Sequence, residues 1–549
     1  MISYIQSSYE YQDLLNIITD KEMIYADSFS LTSCYNLDEE EGVNGLLKKT
    51  NGMGVYCIDE MMEKNYLPYS DNMIILLSMI DGEDFLEKYF IRFLTKFENT
   101  PKKIKLCCGI RKQTLFALIL QLEKKIKQSF PKMEIIYIHA PFLLFQNMVE
   151  NEMVLLKESK QEHLLINEYL MNRKISIEEI YPLGRSRSVE KAKTLAKTIE
   201  KEKPEENFEK YNLVFIDRMC DISAVSLHNL SPIQRVVDSL PFKEINERLI
   251  PTNKKNVFFQ DLISNQNPQK VFSLVSEKLA KMDLQDKEKK EKKERPSLNL
   301  VKQNLGKLDS LTKLKNNESL DLIDLLLDSH QDSKWEEMMS VEKIMVMSSS
   351  STTLSRGSAS QQIYQMIPKF SLQSVLLLLV TSSALFQENL DLDLIFKQLE
   401  SQNVKDSKYL LSCKSLLIRF LDYIKDARNS IDLYSSLLNK SSNSAVYVSL
   451  VERVFSDLLS PKTESFLSQI SLKTKKPSNT LTSYLFSFTS STKQESVNNF
   501  VFYFDGGFTF QEYQSLKSKI SSLNCNSKII FISNRFASKK YLLSLLEPK

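Results

Sequence analysis

Histidine and cysteine, the side chains that most often carry metal or nucleophilic chemistry, are scarce in this 549-residue chain. The four histidines are His139, His163, His228 and His330. No two stand at metal-ligand spacing, so no metal site is expected. The seven cysteines are odd in number and include no C-x-x-C pair, which suits a reducing compartment better than a disulfide framework. Cys57, Cys107, Cys108 and Cys220 lie in or beside predicted strands, where free cysteine packs as a small apolar residue.

Excess charge of one sign is missing too. The 72 basic and 69 acidic residues leave a net charge of +3, so no global field points to nucleic acid. Long apolar runs are lacking: the most apolar segment, Val375 to Val380, is far too short to span a bilayer. The first residues, MISYIQSSYEYQDLL, do not have the charged-then-apolar pattern of a signal peptide. The expectation is a cytoplasmic protein whose membrane association is peripheral. Glycine-rich phosphate loops are also absent. There is no G-x-G-x-x-G and no G-x-x-x-x-G-K, and Gly52 and Gly54 precede a predicted strand rather than follow one, the wrong side for a ligand loop. No cofactor is expected.

What is present is a clear strand-loop-helix unit at Tyr211 to Leu240. Leu213 to Ile216 is a short, fully apolar run, as in a strand buried on both faces of a parallel sheet. It ends in Asp217 and Arg218, with Asp221 three residues on. Ser231 then fits an N-cap, Pro232 the first helical position and Gln234 the reciprocal capping partner. Ile233, Val236, Val237 and Leu240 share one helical face, and Pro241 ends the helix. A second unit has the same design. Phe500 to Phe504 reads as a strand, Gly506-Gly507 as a tight turn, and Thr509-x-x-Glu512 as a capping box. Leu516, Ile520 and Leu523 form the expected apolar stripe, and Lys528 to Ile532 the next strand.

These two units resemble the SM (Sec/Munc) family of syntaxin-binding proteins. Asp217, Arg218, Asp221, His228 and Leu230 match its D-R-x-x-D and His-x-Leu positions; Gly506, Gly507, Thr509 and Glu512 match its G-G-x-T-x-x-E. The sequence departs at Ile222 and Val225, where the family usually has prolines. Trp335, in SKWEEMMSVEKIM, resembles a tryptophan region of the divergent Sec-family domain-containing branch. The resemblance implies an arch of three domains, the middle one discontinuous. It also implies a role in clasping syntaxin-type SNAREs or SNARE bundles during vesicle docking and fusion. The motif residues would then be structural, and the partner-binding residues are not identified by them.

The rest of the chain fits α/β architecture with an all-α insertion. Residues 1–140 alternate apolar runs (Val55 to Ile58, Met73 to Leu77, Ile104 to Cys108, Glu134 to His139) with amphipathic stretches (Phe85 to Phe97, Thr114 to Ile126), which predicts a parallel sheet with helices on both sides. A second α/β unit opens at 141 and runs to about 240, with a helix over Ser188 to Lys201. Helical periodicity dominates 241–480, as in Leu320 to Leu327 and Leu410 to Ile424. A charged loop is expected near 281–316, where KEKKEKKER occurs, and another loop at Ser348 to Ser360. The two strands and two helices of 481–549 cannot easily form a domain alone. They can complete the sheet begun in 141–240.

Asp217 at a strand end invites comparison with aspartyl-phosphate phosphatases. Their second Asp, two residues on, is Met219 here, so general acid help is missing. An Asp–Arg–Asp loop that pairs its charges locally and satisfies buried backbone is the reading adopted, and a structural histidine for His228. Glu512 would repel a phosphate at its own helix N-terminus. No catalytic residue is assigned. Two alternatives to SNARE binding stay open: a Rossmann-like enzyme acting on a nucleotide or sugar phosphate, and a tethering scaffold for other trafficking proteins.

Overall fold

The computed structural model describes most of residues 53–283, 317–474 and 498–548, with short pieces of the first 30; the longer stretches left out inside those ranges are 79–90, 110–123, 241–260 and 349–358. Two sheets organise it. The first contains β1 (Ser3–Ile5), β2 (Met23–Ala26), β3 (Val55–Cys57), β4 (Asn72–Leu77), β5 (Lys103–Cys108) and β6 (Glu134–His139) in the order β1-β6-β5-β4-β2-β3. All its pairings are parallel. The four apolar runs expected to be strands are all in it. β1 and β2 were not anticipated, because three or four residues are too few to show a period.

The second sheet has the order β13-β9-β10-β14-β15-β8-β7. Its strands are β7 (Phe145–Val149), β8 (Met153–Leu156), β9 (Ile175–Leu183), β10 (Glu209–Asp217), β13 (Leu472–Lys473), β14 (Phe500–Asp505) and β15 (Ile529–Ser533). β10 lies parallel to β14, with Leu213 beside Val501 and Phe215 beside Tyr503, and β14 lies parallel to β15. Strands nearly 300 residues apart in sequence are therefore direct neighbours, as their shared need for cover on both faces requires. β7 and β13 pair antiparallel at the two edges.

Side chains alternate between two cores, following the two-residue period of a strand. Leu213, Phe215, Val501, Tyr503, Ile530 and Ile532 face a core continuous with the first sheet. It includes helices α1 (Glu162–Asn172) and α2 (Ser186–Lys201). Val214, Ile216, Phe500, Phe502, Phe504 and Phe531 face the opposite way. There they meet α3 (Pro232–Ser239), α4 (Asn317–Ser329), α8 (Leu450–Leu458) and α9 (Phe510–Ser522). Burying each of these aromatic side chains contributes about 1.5–3 kcal/mol. A third core joins α5 (Ser333–Ser348), α6 (Leu372–Phe386), α7 (Ser407–Asn429) and α10 (Lys539–Leu546) to Ile222 and Val225 of the loop after β10.

Several details depart from the sequence reading. The 241–480 stretch is not wholly helical: it carries an antiparallel hairpin, β11 (Leu438–Lys440) with β12 (Ala445–Tyr447), and supplies β13 to the second sheet. Leu523 is 48% exposed, so the apolar stripe of α9 ends before it. The KEKKEKKER run and most of Ser348 to Ser360 lie outside the described residues, as do parts of Phe85 to Phe97 and Thr114 to Ile126.

Candidate functional site

The motif residues converge at the carboxyl ends of β10 and β14. Asp217 closes β10 and its carboxylate caps the following 3-10 turn, accepting from the Met219 amide at 3.0 Å. Its charge partner is Arg185, whose Nε and Nη2 donate to the two carboxylate oxygens at 2.7 and 3.1 Å. Arg218 points the other way, into the protein. Its Nη1 and Nη2 grip the two oxygens of Glu512 at 2.9 and 3.0 Å, its Nε donates to the Gly507 carbonyl at 2.8 Å, and Nη1 also reaches the Asp221 carbonyl at 3.0 Å. Both members of this pair are buried. Burial, the largest influence, opposes the Arg218 charge, but Glu512, with Asp221 and Tyr447 behind it, holds the guanidinium above its ordinary value.

The two motifs found separately in the sequence are thus one assembly. Thr509 and Glu512 form the expected capping box of α9. The Thr509 amide and hydroxyl both donate to Glu512 Oε2 at 3.0 Å, so the carboxylate that caps the helix is the one that holds Arg218. Gly506 and Gly507 make the turn beneath, with φ of +113° and +103°. A Cβ on Gly506 would lie 2.9 Å from the Arg218 Cβ, so glycine is needed for conformation and for clearance.

Asp221 serves a third direction. Its carboxylate accepts from the Tyr447 hydroxyl at 2.9 Å to each oxygen, from the Leu450 amide at 2.8 Å and from the Ala224 amide at 3.3 Å. It ties β12 and the start of α8 to the motif loop. The local pairing of Asp217 and Asp221 with Arg218 expected from sequence is replaced by three long-range pairings. The strand end and the single 3-10 turn that follows it aim the three side chains apart, and each finds its partner on a different element.

His228 sits in a second cluster. Its amide and Nδ1 contact the two oxygens of Glu342 in α5 at 2.7 and 2.8 Å, and its ring meets Trp335 edge-on at 4.6 Å between centroids. Arg235 and Lys539 lie over the Trp335 ring at 4.9 and 4.8 Å. Lys539 also donates to the Leu227 carbonyl and to Asp238, at 2.7 and 3.0 Å. Burial, with Lys539 and Arg235 nearby, lowers the His228 pKa to about 2. Burial raises that of Glu342 to about 8, although Lys539 opposes it. Burial thus disfavours the charged form of both groups. Leu230 lies outside the described residues.

Gln234 is corrected as well. Ser231 does cap α3, accepting from the Gln234 amide at 3.4 Å. The Gln234 side chain does not return to Ser231. It donates to Asp238 and to the Ala537 carbonyl, each at 3.2 Å, and accepts from the Phe510 amide at 2.9 Å. Sequence reasoning missed Arg185, Glu342, Tyr447 and Lys539, whose partners are 32 to 312 residues away. Only the isolated R-S-R after a strand, at 185–187, hinted at any of them.

Chemically the arrangement has little to offer a substrate. Asp217, Arg218, Asp221, Thr509 and Glu512 are all buried and each is committed to a protein partner. Among the described residues no group of three or more His, Cys, Asp or Glu could hold a metal ion, and no helix is long and apolar enough to cross a membrane.

Two sheets that share one core, with the Arg218–Glu512 latch tying the two halves of the second sheet and the helical region lying between those halves in sequence, define the class of fold. Residues 25–544 match the Sec1 family model, and the chain belongs to that family. No curated protein matches it in sequence. Its fold is similar to that of Unc18 in the Unc18–syntaxin 1 complex from Monosiga brevicollis, with a TM-score of 0.62, 12% identity, and coverage of 98% of this chain and 100% of that one. It is similar to Sly1p in complex with an N-terminal peptide of Sed5p (TM-score 0.56, 15% identity, 99% and 94% covered). The SM protein Vps45 is a further likeness (TM-score 0.54, 11% identity, 99% and 97% covered).

Proposed function

We propose that this protein is an SM-type factor that binds syntaxin-type SNARE helices, alone or bundled, and supports vesicle docking and fusion. The Sec1 family match across residues 25–544 carries this reading. The end-to-end likeness to a protein crystallised with syntaxin 1 supports it. In this reading the protein is not an enzyme. Asp217, Arg218, Asp221, His228, Gly506, Gly507, Thr509 and Glu512 are structural: they lock the motif loop to α8, α9 and α5 and so hold the helical region against the second sheet. The domains run 1–140, 141–240 with 481–549, and 241–480. The protein works in the cytoplasm and reaches membranes through its partners.

The test is a binding assay of the full chain against the syntaxin-type SNAREs of the same organism. The set includes folded full cytoplasmic regions, their N-terminal peptides and assembled four-helix bundles. Saturable binding at about micromolar Kd or tighter is expected for at least one of them, corresponding to about −8 kcal/mol. Absence of binding across the whole set would sink the proposal.

A further inference from the structure

The fold uses only one side of α7. Leu410, Cys413, Leu417, Phe420 and Ile424 are buried in the third core. The opposite face is open, and it is not the uniformly polar face that a surface helix turns to water. Leu411 is 63% exposed and Ile418 43%. Alongside, Leu545 of α10 is 39% exposed. A groove of about 630 Å³ runs between the two helices, with Leu411, Ser415, Leu416, Arg419 and Leu545 in its walls.

The open face also has an ordered charge pattern. Lys408, Leu411, Ser415, Ile418 and Asp422 follow one another at alternating steps of three and four residues, which sets them in one line along the helix. The line is apolar on either side of Ser415 and ends in opposite charges, each seven residues from that serine. Lys408 and Asp422 are both exposed, and neither makes an ion pair among the described residues.

Such a line is its own complement when reversed. With two copies antiparallel about a twofold axis at Ser415, Lys408 of each faces Asp422 of the other. Leu411 of each comes level with Arg419 and beside Ile418 of the other, and that Ile418 faces the groove. The serine at the crossing is small enough to let the helices approach closely. Twofold symmetry makes every one of these contacts twice. The 23 residues of α7 run about 34 Å, and with α10 beside it the face is about 20 Å wide. That is roughly 700 Å² per copy, close to the ~800 Å² per partner of a specific interface.

We propose that this face of α7, with the edge of α10, is a homodimer interface at which a second copy of the chain packs antiparallel across Ser415. It uses none of the motif residues and does not depend on the SNARE binding proposed above.

The experiment is sedimentation equilibrium of the full chain, with charge reversals that the symmetry makes decisive. Wild type should dimerise with a Kd of about 10 μM or tighter. Lys408→Glu sets Glu against Asp422 at both ends of the interface, and Asp422→Lys sets Lys against Lys408. Each should weaken the dimer about tenfold or more. The double variant, and an equimolar mixture of the two single variants, should return to within about threefold of wild type, because both recreate opposite-charge pairs between copies. Rescue within one copy is ruled out by distance, since the two positions lie 14 residues apart, about 21 Å along the helix. Both residues are exposed, so circular dichroism should show every variant folded. A wild type that stays monomeric to about 100 μM, tenfold above the expected Kd, would overturn the proposal. So would a dimer indifferent to either single reversal, or one restored in neither the double variant nor the mixture.

Discussion

Replacing Glu512 by Ala removes one half of the buried Arg218–Glu512 pair and leaves the other half stranded. Arg218 would keep its bonds to the Gly507 and Asp221 carbonyls but lose both donors' carboxylate partners. Breaking one side of such a pair costs about 3–5 kcal/mol. The same carboxylate completes the α9 capping box, whose loss adds about 1 kcal/mol. Against the roughly 5–15 kcal/mol that holds a domain folded, this is a large fraction. It should lower the transition that contains the second sheet by about 8–24 °C. Calorimetry of Glu512→Ala, Arg218→Met and the double variant supplies a double-mutant cycle. The double variant should be less destabilised than the sum of the singles by about 2 kcal/mol or more, because it strands no charge. Additive effects, or a Glu512→Ala loss below about 1 kcal/mol, would refute the claim that the two motifs are energetically one unit.

Three further outcomes are expected. Glu342 has its folded pKa raised to about 8 from an ordinary 4.5, so the folded state binds the proton more tightly and stability falls as pH rises toward 8. His228, lowered to about 2 from 6.5, acts oppositely and mostly below about pH 7. Between pH 6.5 and 8 the carboxyl dominates, and wild type should lose about 2 kcal/mol relative to Glu342→Gln, as read from urea midpoints. Gly184→Ala places a Cβ 2.3 Å from the Asp217 Cβ at a φ of +149°; it should displace Asp217 from Arg185 and lower Tm by several degrees, visible in a melting curve. Asp217→Asn keeps the shape but weakens the Arg185 pair, which is partly exposed on the arginine side; a loss of about 1–2 kcal/mol in chemical denaturation is expected, and no loss at all would remove Asp217 from the latch.

The local features were legible because each is decided within a few residues. Leu213 to Ile216 and Phe500 to Phe504 read as strands covered on both faces, and all are buried on the sheet. The α9 capping box needs only Thr509 and Glu512, one turn apart, and it forms. The family could be recognised for the same reason: its motifs are short runs with fixed spacing. β1, β2 and β13 were invisible because two to four residues carry no period.

The partners of the motif side chains were decided by tertiary structure alone. From sequence, Asp217, Arg218 and Asp221 look like each other's natural partners. In the fold, Arg218 crosses 294 residues to Glu512, Asp221 crosses 226 to Tyr447, and His228 crosses 114 to Glu342. Chain order says which residues can cap a helix, since a cap reaches three or four positions. It does not say which strand lies beside which. Once β10 is laid against β14, the Glu512 carboxylate lies where both Arg218 Nη atoms can grip it, and burial of both groups strongly favours that pairing.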